Sequence, residues 1–494
     1  MVQLIHGMLL TLAFHPFDIF IVIPISLSGF LFYLERECLA SKKDKLFKIG
    51  FKNGFTFFFG HFITSLYWIA IPLLIDVKQY WFLIPFALFG VPIVLSSFYG
   101  AFSGLISTFL FIKINNQNIR NKRVGIAILF GFGFFFAEIL RSHLIVLFPW
   151  NLLGYASGYS LPLMQFASIV GVYGLSLLLF LLGTMPYTRN SIAISLMTLS
   201  VLIITMNGRS RLNKMDEDIN GRNIASLYII QPNFSSTNMT SGSSKVEFEK
   251  VKAILNEIKT SNINDNLQLM ILPESGIPLT ISTQQEFILH DIMSKQGKNS
   301  ILISGIDRYN ESSNQHFNSM IAVNNNSEII DAYDKVTLAP FGEYIPGFDS
   351  IKSIVSTNYG FTPGHRMKNF RLYNNISDDV LVVMPTICFE AILSPLINMK
   401  RNIADLDLIL NITNDSWLGN SLGPYQHLAM ARMRAIEYGV PVVRVAKTGI
   451  SAVFNSHGRL MRSLPLNTEA IMIVDMPEDK VSTVYMKIIK LLKE

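Results

Sequence analysis

The chain has 494 residues, half of them hydrophobic, with 37 Phe and only 15% charged residues, and a mean hydropathy of +0.37. That is too apolar for an ordinary soluble protein, and charge is scarce up to residue 208 and normal beyond it, so a membrane half followed by a soluble domain is expected. Two cysteines exclude a disulfide-built scaffold, and the net charge of +6 sits in short loops between apolar spans, which argues against a nucleic-acid-binding patch.

In chain order, seven stretches pass as candidate transmembrane spans: residues 2–14, 18–34, 54–75, 91–112, 123–141, 162–184 and 190–207. A bilayer core needs about 20 apolar residues, and each charge inside a span costs about 2.5–3.5 kcal/mol. Residues 81–90 and 148–159 hold Pro, Gly and aromatics without charge and read as interfacial or re-entrant segments. The basic residues sort by side. Arg36, Lys42, Lys43, Lys45, Lys48, Lys52, Lys113, Arg120, Lys122, Arg123 and Arg189 fall on one side, against Lys78 and Arg141 on the other. The positive-inside rule then places the first side in the cytoplasm and everything beyond residue 208 outside. Glu138 and Arg141 stand three apart before Phe148-Pro149-Trp150. They read either as a helical ion pair beside an aromatic belt, or with Arg141 and Trp150 facing a lipid headgroup.

From residue 221 the pattern changes to short β-rich runs separated by polar, helix-like segments. The runs are Ile224–Ile230, Gln268–Leu272, Ser300–Ile306, Met320–Val323, Val380–Cys388, Leu406–Thr413, Val440–Ala446 and Ile471–Val474. Such alternation predicts a layered α/β domain over 221–480, with active residues at the strand ends. In 481–494, lysines recur every three residues beside Ile488, Leu491 and Leu492, which reads as a short interfacial helix.

Three strand ends carry reactive groups: Glu274 after QLMILP, Lys335 in YDKVTLAPFGEYIP, and Cys388 closing VLVVMPTIC. Singly, they are a solvated carboxylate, an exposed lysine and a core cysteine. Together they form a set for nucleophilic acyl transfer, because a thiol needs a base and a tetrahedral oxyanion needs a cationic or N–H donor. No metal-ligand spacing and no phosphate-binding loop accompany them, so no metal, nucleotide or other cofactor is expected.

MILPESGIP, YDKVTLAPFGEYIP and MPTICFE resemble, in that order, the Glu, Lys and Cys motifs of the nitrilase superfamily. TLAFHPFD, EILRSHLIVLFPWNLLGY, ITNDSWLG and GPYQHLAMARMRAIEYGVP are similar to segments of its membrane-bound branch, the apolipoprotein N-acyltransferases. The resemblance implies a multi-span α-helical membrane domain joined to an α/β nitrilase-like αββα sandwich. It implies an enzyme of the bacterial inner membrane with its catalytic domain on the periplasmic side. A phospholipid would donate an acyl chain to the N-terminal amine of a diacylglyceryl-modified apolipoprotein, through a Cys388 thioester. Glu274 would be the base and Lys335 the oxyanion donor, with Glu343 and Glu390 supporting them. Phe341, Tyr344, Phe389, Asn414 and Trp417 are further supporting or substrate-binding candidates. The chain departs from the family's usual residues at Thr337, Phe389 and Lys447. A membrane-tethered amidase would share the triad without lipid-facing aromatics. A transporter would call for ionisable groups in the middle of the spans, and His61 alone reads as standing well inside one.

Overall fold

A computed structural model describes residues 1–111, 119–144, 147–217, 224–234, 243–258, 266–278, 280–281, 286–340, 342–344, 360–374, 376–377, 379–397, 405–477 and 479–493. The chain divides into two compact units, Met1–Lys214 with Leu418–Ala429, and Met215–Trp417 with Met430–Glu494.

The first unit is helical. An apolar environment offers backbone groups no outside partner, so long apolar runs must satisfy their own N–H and C=O groups as helices. Among the described residues, Val77–Phe111, Lys122–His143, Ala167–Thr188 and Ser191–Lys214 are long and apolar enough to cross a membrane. A fifth joins them if Lys43–Ser65 and Tyr67–Leu74, bent by 43°, form one span. The stretch expected as the first span is a ten-residue helix, Val2–Thr11. At 1.5 Å per residue that is about 15 Å, half of a hydrocarbon core of about 30 Å. The second falls on Val22–Leu39, whose last turns carry Glu35, Arg36 and Glu37.

The first unit has an aromatic interior: Phe30, Phe57, Phe58, Phe62, Phe130 and Phe134 are all buried. Phe30 meets Phe57 at 5.1 Å between ring centroids, and Phe58 meets Phe134 edge-on at 5.0 Å. The helices Leu46–Ser65 and Val91–Phe111 approach closely through small residues, since a Cβ on Gly54 would lie 2.5 Å from the Ser103 Cβ. Charge is paired here: Arg123 donates twice to Glu35, at 3.0 and 2.6 Å. His61 is buried, its Nδ1 3.1 Å from the Thr11 hydroxyl. Leu418–Ala429 belongs to this unit although the sequence pattern places it within the α/β domain. Its Gln426 accepts from the indole nitrogens of Trp68 (3.2 Å) and Trp150 (2.8 Å) and donates to the Ser65 carbonyl (3.2 Å).

The second unit holds thirteen described strands: β1 (Ala225–Gln231), β2 (Leu267–Ile271), β3 (Thr280–Ile281), β4 (Ser300–Asn310), β5 (Gln315–Asn324), β6 (Ile329–Asp334), β7 (Phe370–Tyr373), β8 (Val380–Ile387), β9 (Leu408–Thr413), β10 (Val442–Ala446), β11 (Ser451–Phe454), β12 (Leu460–Leu464) and β13 (Ala470–Asp475). One sheet runs β13-β1-β2-β4-β5-β6, with β3 beside β4, and the other runs β12-β11-β10-β9-β8-β7. Each has three parallel strands at its centre, β1-β2-β4 and β8-β9-β10, flanked by antiparallel neighbours. Central parallel strands are covered on both faces and read as unbroken apolar runs. Leu227, Ile229, Leu269 and Ile271 of one sheet share a core with Leu381, Val383, Leu408 and Val443 of the other. Phe248, Val251 and Leu255 of the Ser243–Glu257 helix and Leu289 of the Glu286–Met293 helix join Ile230, Met270 and Leu302 in a second core. Sheet against sheet with helices on an outer face is the expected α/β architecture.

Candidate active site

The three reactive residues follow β2, β6 and β8, where extended chain turns away from the core. Glu274 stands three residues after β2 and is buried. Its carboxylate accepts from the Asn318 side-chain amide at 2.7 Å and from the Asn414 backbone amide at 2.7 Å. The turn that carries it lies against β4 so closely that a Cβ on Gly305 would be 2.6 Å from the Glu274 Cα. Lys335 follows β6 directly and is 1% exposed. Its Nζ lies 2.9 and 2.8 Å from the two Glu343 carboxylate oxygens and 3.7 Å from Glu274 Oε1. Cys388 follows β8 directly, half-buried, with φ at +47°. That left-handed backbone costs a non-glycine residue about 1–3 kcal/mol. Residues after it hold the turn: the Ile387 amide donates to Glu390 Oε2 at 2.9 Å, and Asn411 Nδ2 lies 3.5 Å from the Cys388 carbonyl.

The charges act on one another. Burial raises the Glu274 carboxyl above its ordinary range, Lys335 opposes this, and Glu343 adds to it. Burial alone would lower the Lys335 ammonium, but the carboxylates of Glu343 and Glu274 outweigh it and hold the lysine above its ordinary value. Burial also pushes the Cys388 thiol up, Glu274 reinforces the rise, and Lys335 works against it. The arrangement is therefore a protonated thiol, a permanent cation and a carboxylate of raised basicity.

The supporting candidates separate into different roles. Glu343 binds Lys335 and accepts from Asn318 Nδ2 (2.9 Å) and the Ala339 amide (2.6 Å). Glu390 is buried and joins two of the strand ends. Its Oε1 accepts from the Tyr333 hydroxyl (2.7 Å) and the Val336 (3.0 Å) and Thr337 (3.1 Å) amides beside Lys335, while Oε2 takes the Ile387 amide beside Cys388. The Asn414 backbone amide donates to Glu274, and its side-chain oxygen accepts from the Ser416 hydroxyl. Phe389 is buried, whereas Tyr344 and Trp417 are 38% and 44% exposed. Phe341 lies outside the described residues. At the remaining departure, Lys447 is 3.6 Å from Glu247 and lies over the Phe234 ring.

Arg141 and Trp150 lie in the first unit and are buried, so neither faces an outer surface. Arg141 donates to the Tyr99 hydroxyl (2.9 Å) and the Asn151 carbonyl (3.0 Å), and Glu138 accepts from the Leu153 amide (2.8 Å). The two charges act on each other electrostatically, but each makes its hydrogen bonds to other groups. The Arg141 Nη1 and Glu138 Oε1 atoms are buried without a hydrogen-bond partner among the described residues.

Several site residues escape a search for reactive groups. Asn318 bridges Glu274 and Glu343, and no sequence signal marks it, since it stands among the polar residues of β5 just before the apolar run Met320–Val323. Beneath Cys388, Arg444 is fully buried and donates to Asn411 Oδ1 (2.6 Å) and Asp415 Oδ2 (2.5 Å), while Thr413 donates to Asp415 Oδ1 (3.0 Å). An arginine within the apolar run of β10 was the visible sign of this network.

Residues 6–185 match the family model of the apolipoprotein N-acyltransferase N-terminal domain, and residues 235–485 match that of the carbon-nitrogen hydrolases. The chain is 31% identical over 510 residues to a Rhodopseudomonas palustris protein named apolipoprotein N-acyltransferase, covering 99% of this chain and 91% of that one. Proteins of the same name from Rickettsia prowazekii and Brucella melitensis are 31% and 28% identical. The first comparison covers 90% of this chain and 86% of the relative, the second 95% and 88%. With both halves matched and the relatives aligned nearly end to end, this chain belongs to the apolipoprotein N-acyltransferase family.

Proposed function

We propose that the chain transfers an acyl chain from a phospholipid to the N-terminal amine of a diacylglyceryl-cysteine apolipoprotein, with Glu274, Lys335 and Cys388 as the catalytic residues. The observation that carries this reading is a buried carboxylate and a buried ammonium, Glu274 and Lys335, 3.7 Å apart and both acting electrostatically on the Cys388 thiol. Glu274 takes the thiol proton as Cys388 Sγ attacks the ester carbonyl, and Lys335 stabilises the oxyanion. Collapse breaks the ester C–O bond, and Glu274 returns its proton to the departing lysophospholipid oxygen. The acceptor amine then attacks the thioester. Glu274 removes its proton and delivers it to the leaving sulfur, so both groups return to their starting states.

Glu343 keeps Lys335 charged and oriented, and Glu390 fixes the spacing between the Lys335 and Cys388 turns. We assign residues 1–208 to the membrane domain and 221–480 to the catalytic domain. The clustering of basic residues in alternate loops supports a bacterial inner-membrane protein with the catalytic domain on the periplasmic side.

The test supplies phospholipid with a labelled acyl chain, quenches in acid, and locates the label. A hydroxylamine-sensitive adduct on Cys388, chased onto a diacylglyceryl lipopeptide, is expected. Transfer by a Cys388→Ala variant, or turnover with no adduct at Cys388, would refute the scheme.

A further inference from the structure

The Val484–Lys493 helix has two apolar faces, and only one of them is covered. Tyr485, Met486 and Ile489 are buried, and Thr483, just before the helix, donates to the Glu437 carbonyl at 2.8 Å. Val484, Ile488 and Leu491, spaced i, i+4 and i+7, form a stripe with Leu492 on another side of the helix. These four are 48%, 43%, 72% and 62% exposed. Lys487, Lys490 and Lys493 are exposed and run along one border of the stripe.

We propose that this stripe inserts into the interface of an anionic phospholipid leaflet, with the three lysines on the lipid phosphates. Exposed apolar side chains next to a row of cations are the pattern of a helix lying in a membrane interface, where lysine stems cover apolar surface and the ammonium groups reach headgroups. Charge decides the occupant. The helix contains no Asp or Glu, so an identical helix from a second copy would offer its lysines no counter-charge. An anionic leaflet offers one at every headgroup, at about 1 kcal/mol per basic residue near the surface. The inference does not depend on the acyl-transfer chemistry, so its failure leaves that reading intact.

The experiment uses the full chain with Cys38→Ala and Cys388→Ala, a nitroxide on Leu491→Cys or Lys490→Cys, and reconstitution into liposomes. One set contains phosphatidylcholine alone, the other phosphatidylcholine with phosphatidylglycerol. With phosphatidylglycerol, the label at 491 should collide readily with oxygen and several-fold less with a water-soluble nickel chelate, while the label at 490 stays open to the chelate. Replacing Lys487, Lys490 and Lys493 by Gln, with the label at 491, should restore chelate access, and unchanged thermal unfolding would show that the chain remains folded. A label at 491 equally open to the chelate in both lipids overturns the proposal. Spin–spin broadening between labels on two chains overturns it in favour of a second copy.

Discussion

Glu274 sets the expected pH dependence at the level of single residues. Burial is the largest cause raising its carboxyl, and a base must be ionised to accept the thiol proton. Acyl transfer should therefore lose kcat/KM on acidification at a pH above the ordinary glutamate value of about 4.3. A pH–rate profile checks this, and an acid limb at or below that value would count against Glu274 as the base. For stability the sign is opposite. A raised folded-state pKa gives a contribution that is full below the unfolded value and is lost as pH rises through the folded value. Across that window, Tm of Glu274→Gln measured relative to the wild type should shift in the variant's favour as pH rises. Glu390 makes a different demand, since it accepts from three backbone amides and the Tyr333 hydroxyl. Glu390→Ala strands those donors in a buried site at about 1–3 kcal/mol each. Thermal unfolding in detergent should show a loss of several kcal/mol together with lost turnover, and Glu390→Gln, which keeps one acceptor oxygen, a smaller loss.

Among the elements, the site depends on how closely β4 backs the Glu274 turn. Gly305 and Pro273 exchange backbone contacts there, with the Gly305 amide donating to the Pro273 carbonyl at 3.1 Å. Any side chain on Gly305 meets backbone rather than a flexible neighbour. Gly305→Ala is therefore expected to cost about 1–3 kcal/mol, as overpacking does. By shifting the base it should lower kcat more than it changes KM for the phospholipid, as measured by steady-state transfer. Wild-type kcat in a folded Gly305→Ala variant would show that the turn tolerates the shift. The Arg444–Asp415 pair plays a comparable part beneath β8, β9 and β10. Its members are both buried, so neither charge can be removed singly without leaving the other uncompensated.

For the whole molecule, the loop charges and the family's chemistry make a joint statement about sides. Lys43 lies in the basic loop between the helices Val22–Leu39 and Leu46–Ser65, and Glu311 lies in the exposed turn between β4 and β5. In intact cells with a permeabilised outer membrane, an impermeant maleimide should modify Glu311→Cys and spare Lys43→Cys. Labelling of Lys43→Cys alone would invert the proposed topology. The outcome matters for the proposed chemistry as well as orientation, because the acyl-Cys388 thioester would have to form where the apolipoprotein amine is presented.

The sequence by itself determined the division into an apolar helical half and an α/β half, because hydropathy and strand periodicity are local properties. Its eight apolar runs fall on β1, β2, β4, β5, β8, β9, β10 and β13. The strands it left unassigned include β7, β11 and β12, short elements whose signal is too brief to stand out, and β12 is almost wholly exposed. Motifs at strand ends also made Glu274, Lys335 and Cys388 legible as a set. Only the tertiary structure decided what those groups touch. Asn318 joins Glu274 to Glu343 across 44 and 25 residues, and Glu390 reaches back 57 residues to Tyr333. Hydrogen-bond partners at such separations are chosen by sheet register, which no local pattern encodes. For the same reason Arg141, read as half of an ion pair or as facing a lipid headgroup, is buried on Tyr99 and Asn151, and Leu418–Ala429 joined the helical unit through the two tryptophans that bind Gln426.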